Sequence, residues 1–543
     1  MAPSSRQLFH AVLLLGLCSL AVLSYLNSGL LWPRKSPHLR SRYLDTASQT
    51  IEAQTTLEVG KMSPRGDNHD NHSSRSDDEL PKTTPYDPPT YISFSPPKGV
   101  KAELSGSTTK GDHISSDCPD LPKVAPDIKE NFTWWNTGVR DFLVFSAFLD
   151  NRTVLRHYPI VRVNAIYIGS SDYINYPKFC QVWFQASDMK TVYNRAYRMD
   201  IDETGYQDQK WKPLFLNCLL DTKETRMPYA ISVVDGRCNQ PRGALKIIDS
   251  RIKPKKEPTF GVCIKPLYGK YDGTGRVVEF MEVTKMFGAD YFIAYNYSSN
   301  STTLGPVFKK YINDGVLTMV QWVPPIEVLR VVNLTSGLKE YLYWARDLGQ
   351  QAATNDCLYR LMQNYSHIAM VDYDEFLVPR SAKTWQELFK TLPKNYTIGS
   401  YKFLNRFYHL QWKTDPANFT DPRIHKYRPS TLLAITPEKK FWGPGRRPKQ
   451  FSMARATLGG TIHHGLLLPG FKTYVLQPED GYMHHYRAGV GPAVHTLFYR
   501  QMMVPVEDPD MYLWKFKDEI LSRIDHVFKE TRAPFTGTIK RRR

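Results

Sequence analysis

Between residues 260 and 376 two periodicities alternate, and that alternation limits the fold more than any other feature of the chain. "FGVCIKPLYG", from residue 260, is an apolar strand with a basic tip at Lys265. "GRVVEFMEVTKMFGAD" then sets Val277, Phe280, Met281, Thr284 and Phe287 at helical spacing. "YFIAYNY" at 291 reads as a strand, "VFKKYINDG" as a helix and "VLTMVQW" at 316 as a strand. "YWARDLGQQAATNDCLYRLMQ" predicts a long helix with Ala345, Leu348, Ala352 and Leu361 near one face, and "HIAMV" at 367 a buried strand. Such alternation predicts an α/β architecture on a largely parallel sheet. Ligands of these sheets bind outside the carboxyl ends of the strands.

The last strand runs directly into Asp372, Tyr373, Asp374 and Glu375. Three carboxylates within four residues repel one another and lose hydration near a core. A cation must offset that cost, either a lysine or a divalent metal. Close oxygen ligands suit magnesium or manganese bound together with substrate phosphates. The plainer alternative is a loop in which one aspartate caps a helix and the others are solvated.

The remainder of the chain sets the context. Its 543 residues suffice for two folded domains plus appendages. A formal charge of +18 favours anionic partners: nucleic acid, a membrane surface or a nucleotide diphosphate. Without a homeodomain, zinc-finger or RNP pattern, no nucleic-acid partner is expected. Leu8 to Trp32 carries no formal charge and has the length of one membrane span. Ala21, Ser24 and Ser28 leave signal-peptide cleavage as the alternative. Arg34, Lys35, Arg40 and Arg42 after the span, against Arg6 before it, argue for the body on the cytoplasmic side. Nine Asn-X-Ser/Thr sequons argue the reverse: Asn71, Asn131, Asn151, Asn296, Asn300, Asn333, Asn364, Asn395 and Asn418. Six cysteines after the span, Cys118, Cys180, Cys218, Cys238, Cys263 and Cys357, allow up to three disulfides in an oxidising lumen. The expected layout is a cytoplasmic tail (1–7), a signal-anchor (8–32), a disordered lumenal stem (33–130), a β-rich domain (131–255), a catalytic domain (256–505) and a C-terminal helix with a basic tail (506–543). The stem carries Arg65-Gly66-Asp67, read as an accidental tripeptide.

Five stretches sharpen this reading: "FSAFLDNR" at 145, "GVCIKPLYG" at 261, "GQQAATNDCLYR" at 349, "VDYDEFLVP" at 371 and "HHYR" at 484. In this order the chain resembles glycosyltransferase family 92 over roughly residues 140 to 490. The resemblance implies a nucleotide-diphospho-sugar (GT-A type) fold, Golgi residence as a single-pass type II membrane protein, manganese and UDP-galactose. It implies inverting β-1,4 transfer to a glycoprotein N-glycan, with terminal β-galactose as the favoured acceptor and core fucose as the second.

Residue roles follow from that resemblance. Asp374 is expected to ligate the metal directly. Asp372 binds it through water or holds the ribose, and Glu375 orients them or faces solvent. His485, Tyr486 and Arg487 match a His-Tyr-Arg cluster, in which imidazole completes the metal sphere and guanidinium forks onto phosphate. On a strand, residues 485 and 487 share one face and Tyr486 points away, although Tyr486 is also counted with the donor. His484 and His485 are read as one buried and one exposed. Lys265 and Lys449 are expected to meet the donor diphosphate. Arg446 and Arg447 form a solvated turn, and His463 and His464 are a polar pair near the site. An inverting transfer needs a base, and Glu479, Asp480 and Asp356 are the candidates, with Asp356 equally readable as a buried helix contact. Aromatics in "YKFLNRFYHLQWKTDP" at 401 are suited to stacking on an acceptor sugar. The rival function is a carbohydrate-binding lectin without catalysis.

Overall fold

The computed structural model describes residues 120–536 apart from 130–133, 140–141, 153–158, 168–178, 186–191, 204–211, 222–223, 225, 268–270, 298, 323–348, 413, 416–418 and 488–504. The expected tail, span and stem lie outside the described residues, as do Cys118, Asn71, Asn131, Asn333 and Asn418. Among the described residues no helix is long and apolar enough to cross a membrane.

Among the described residues nine strands precede residue 250: β1 (Ile128–Lys129), β2 (Trp135–Asn136), β3 (Phe142–Asp150), β4 (Ile160–Tyr167), β5 (Phe179–Gln185), β6 (Val192–Glu203), β7 (Lys212–Leu219), β8 (Met227–Val234) and β9 (Ala244–Asp249). Pairing runs β3–β4–β7–β6–β5–β8–β9, and β9 returns in parallel to β3, so seven strands close into a barrel. Val144, Val161, Val163, Val182, Leu216 and Ile231 belong to its buried core. Cys180–Cys218 bridges β5 to β7.

The second sheet holds β10 (Phe260–Leu267), β11 (Tyr291–Asn296), β12 (Leu317–Gln321) and β13 (His367–Val371). Three helices accompany them: α1 (Thr274–Met286), α2 (Ser301–Asn313) and α3 (Gly349–Leu361). The four strands are parallel, in the order β12-β11-β10-β13, as the alternation predicts. Strand order therefore reverses between β10 and β13, which opens a crevice at their carboxyl ends. Cys263–Cys357 ties β10 to α3 behind that crevice. Beyond β13 lie β14 (Glu375–Pro379), α4 (Trp385–Thr391), β15 (Ile398–Phe403), β16 (Asn405–His409), β17 (Lys449–Met453), a hairpin of β18 (Thr457–Gly460) and β19 (Gly465–Leu467), β20 (Lys472–Val475) and β21 (Gly481–Arg487). β17 joins the main sheet antiparallel to β13, and β15 and β20 follow it. β14, β21 and β16 form a separate small sheet.

The barrel is built onto the second sheet through α3. Phe145, Phe148 and Phe215 from the barrel share one apolar cluster with Ala352, Leu358 and Tyr359 from the helix. Arg152 locks the joint: it pairs with Asp150 at 2.7 Å and donates to Tyr359 Oη (2.9 Å) and to the Ala454 and Thr457 carbonyls (2.7 and 2.6 Å). The C-terminal helix α5 (Lys517–Thr531), expected in a separate tail region, is instead part of the core: Ile520, Leu521, Ile524, Val527 and Phe528 share the cluster that α1 helps to form.

Candidate active site

The crevice between β10 and β13 answers the question posed by the acidic run. Lys265, near the end of β10, meets Asp372 with Nζ–Oδ2 at 2.7 Å. Lys449, at the start of β17 and buried, lies 3.0 Å from Glu375 Oε2 and 3.7 Å from Asp372 Oδ1, and donates to the Ile462 carbonyl at 3.0 Å. Gln350 of α3 donates to Asp372 Oδ1 at 3.2 Å. Two lysines thus offset the charge of Asp372 and Glu375. Burial alone would raise the Asp372 carboxyl, yet Lys265 and Lys449 hold it well below the usual carboxylate range. Burial alone would lower the Lys265 ammonium, yet Asp372 and Asp374 hold it above the ordinary lysine range. Burial lifts Glu375 to about 7 against the pull of Lys449, with Asp372 and Asp374 adding to the rise.

The turn is tight. The Asp372 N–H donates to Glu375 Oε2 at 2.9 Å, and the Glu375 N–H to the Asp372 carbonyl at 3.1 Å. Tyr373 points into the core beneath, stacked on Tyr271 and edge-on to Phe280. That placement leaves the flanking aspartates facing the crevice side by side.

Asp374 has a different environment. Its Oδ2 lies 3.9 Å from His485 Nε2 and 3.5 Å from Arg276 of α1. The Tyr486 N–H donates to the Asp374 carbonyl at 2.8 Å, which fixes β21 against the acidic turn. Burial pushes the His485 imidazole down to about 4, so it is neutral at pH 7 and can offer a nitrogen lone pair. His485 packs against Phe407 with the rings tilted, centroids 4.6 Å apart, and the Arg487 guanidinium lies 5.0 Å over the same ring. One face of the small sheet therefore carries Glu375, His485, Arg487, Phe407 and His409, matching the expected sharing of a face by 485 and 487.

The opposite face is core, and two expectations change there. Tyr486 is buried, edge-on to Phe376 at 5.5 Å, with its hydroxyl 3.1 Å from His484 Nδ1, so its ring does not reach the donor crevice. His484 is as buried as its neighbour rather than alternating with it in exposure, because both faces of β21 are covered. It stacks between Tyr408 and Tyr482, whose hydroxyls donate to Asp510 at 2.6 Å each.

The three base candidates all fall elsewhere. Asp356 is fully buried at the barrel joint, accepting from Ser146 Oγ (2.5 Å), Tyr295 Oη (2.7 Å) and Arg360 Nε (2.6 Å). Its lone pairs are occupied, and it serves as the buried helix contact. Glu479 and Asp480 precede β21 at the end remote from His485; five residues of strand separate Asp480 from His485 by roughly 17 Å. There the Asp480 carbonyl accepts from Arg380 N–H at 2.8 Å.

His463 lies close enough to Lys449 and Asp372 to feel both charges, and burial with Lys449 holds it down at about 3. His464 Nδ1 is 3.4 Å from Lys402 Nζ instead. Four further residues stand at the site: Arg276, Gln350 and the buried His409–Glu438 pair at 2.8 Å, which Trp442 also holds through Glu438. Gln350 stands inside "GQQAATNDCLYR", so its signal was available, whereas Arg276 and Glu438 need the fold to be seen. Of the described sequons, Asn151, Asn364 and Asn395 are exposed, and Asn300 caps α2 by accepting from the Thr302 N–H.

An α/β sheet with lysine-balanced carboxylates and a facing imidazole at its switch point has the form of a ligand-binding site, and comparison of the sequence identifies its class as glycosyltransferase. The chain belongs to glycosyltransferase family 92, whose model matches residues 258–531. It is similar to the Caenorhabditis elegans protein "Beta-1,4-galactosyltransferase galt-1", with 24% identity over 314 residues, 56% of this chain and 68% of that protein. Among solved structures, a ferredoxin-NADP+ reductase from Plasmodium falciparum overlaps 37% of this chain and 81% of its own at 10% identity and a TM-score of 0.09, too little to bear on the fold.

The donor set fits a divalent cation in part. Asp374 and His485 present one carboxylate oxygen and one neutral ring nitrogen toward each other, leaving other positions for phosphate oxygens and water. Asp372, expected as a ligand, is already matched by Lys265, Lys449 and Gln350. Among the described residues no group of three His, Cys, Asp or Glu side chains gathers as a complete metal site. Were His485 to hold manganese, His485→Gln would raise the manganese concentration for half-maximal transfer by about tenfold, one weakened ligand. An unchanged manganese titration in that variant removes His485 from the metal.

Proposed function

We propose that this protein moves galactose from UDP-galactose, in β-1,4 linkage and with inversion, onto a glycoprotein glycan. Terminal β-galactose is the favoured acceptor and core fucose the second. The observation that carries the reading is the charge arrangement at the β10/β13 crevice, Lys265–Asp372 beside Asp374–His485, in a family 92 domain. The name of the nematode relative, a β-1,4-galactosyltransferase, supports the sugar and the linkage. The catalytic domain is read as GT-A type.

Asp374 and His485 would hold manganese, which supplies charge neutralisation for the departing diphosphate. Lys265 and Lys449 bring further positive charge to the same place. Arg487 offers a planar fork to a phosphate from the Phe407 face. On that same face Phe407, and Trp412 against His409 at 4.4 Å, would offer aromatic surface to an acceptor sugar beside the donor. Golgi residence with a lumenal body is part of the proposal, supported by the sequons and by two disulfides in the body.

The test is incubation of the purified protein with a panel of UDP-sugars, with and without manganese, against an array of glycans. UDP-galactose should be turned over at least about tenfold faster than UDP-glucose or UDP-N-acetylglucosamine, the discrimination of one well-read hydroxyl. Glycan binding without turnover of any donor would establish a lectin.

A further inference from the structure

The amino ends of the same strands carry a second concavity. A cleft of about 480 Å³ opens between the segment leading into β10 and the helix α4. Lys253, Lys255 and Lys256 form one lip, Lys390 and Lys394 the other, and Arg455 lies inside. Six cations stand against the single carboxylate of Glu257 among its lining residues. Among the described residues none of the six has an ion-pair partner. This contrasts with the catalytic crevice, where each lysine has its carboxylate. The five lysines are exposed and Arg455 is half-buried.

Arg455 gives Nη2 to the Ile398 carbonyl at 2.9 Å, and its Nη1 is buried with no partner in the protein. The guanidinium is braced between Tyr396 and Phe471, at 4.6 and 5.0 Å from their ring centres. Tyr365 and Phe389 line the same cleft. His367 begins β13 on this wall, and Asp372 follows the strand's other end. One five-residue strand of roughly 17 Å thus separates cleft from catalytic site.

We propose that this cleft is a binding site for a sulfated oligosaccharide, distinct from the donor and acceptor sites. Two facing basic lips fit a narrow linear polyanion with charge along both edges. Aromatic walls pack against the C–H faces of sugar rings, and the exposed ammonium groups of the two lips suit sulfate oxygens. Pro254 and Pro258 stiffen the lysine-bearing lip, so less chain entropy is lost on binding.

The test is calorimetry of the full chain in neutral-lipid nanodiscs with a heparin-derived hexasaccharide, its desulfated counterpart, an acidic peptide of equal charge and anionic vesicles. The sulfated hexasaccharide should bind tightest, with affinity falling as salt rises. Lys253→Ser/Lys255→Ser/Lys256→Ser should weaken it by about tenfold or more. Lys390→Glu/Lys394→Glu, on the other lip, should do the same, which guards against misfolding of either variant. UDP binding should be unchanged in both. Equal binding of the acidic peptide or vesicles would overturn the proposal, as would unaltered hexasaccharide affinity in both folded variants. Because the readout is binding at a remote cleft, it stands or falls separately from the galactose reading.

Discussion

Asp374→Ala is expected to lower kcat/KM for sugar transfer by about 10³-fold, several kcal/mol of lost charge stabilisation. Its thermal midpoint should stay within about 2 °C of wild type, as for a partly exposed side chain outside the core. Asp374 pairs with Arg276 at 3.5 Å, and both side chains of that pair are partly exposed. It faces neutral His485, so its removal strands no buried charge. Asp372→Asn should behave differently. It deprives Lys265 of its 2.7 Å partner, and Lys265→Met should then add little further loss in the double variant. Steady-state transfer at saturating manganese, with thermal melts of each variant, decides the matter. Near wild-type turnover in Asp374→Ala would sink the metal assignment, and strictly additive losses at 265 and 372 would break the pair.

Asp356→Ala should produce the largest stability change, about 3–5 kcal/mol, because it leaves the mostly buried Arg360 guanidinium without its carboxylate. Ser146 and Tyr295 lose their acceptor in the same step. Two of its three partners come from different layers, Ser146 from the barrel and Tyr295 from β11, so the joint itself should loosen. Chemical denaturation measures the loss, and transfer by the folded fraction measures the chemistry. Unchanged stability with abolished transfer would return Asp356 to the role of catalytic base.

Much of this protein is legible without coordinates. The alternation from 260 to 376 determines a parallel α/β sheet, since a buried strand and an amphipathic helix leave different apolar periods in the chain. The acid-tipped strand and the basic-tipped strand mark the binding end, because charged residues directly after a buried run can only sit at a strand's end. The alternation within "HHYR" correctly separates His485 and Arg487 from Tyr486, since a strand's period is a local property.

Tertiary structure decided the pairings. That Lys265 and Lys449, 184 positions apart in the numbering, converge on one acidic turn depends on β10, β13 and β17 being neighbours in one sheet. Whether Asp356 was base or buried contact turned on a barrel strand more than 200 residues away. Glu479 and Asp480 looked close to His485 in sequence, but a strand is extended, and a few residues of it span the width of the small sheet. Sequence patterns report each element's own faces and ends. Which faces meet is determined by closure of the barrel and the order of the strands, and neither leaves a local mark in the chain.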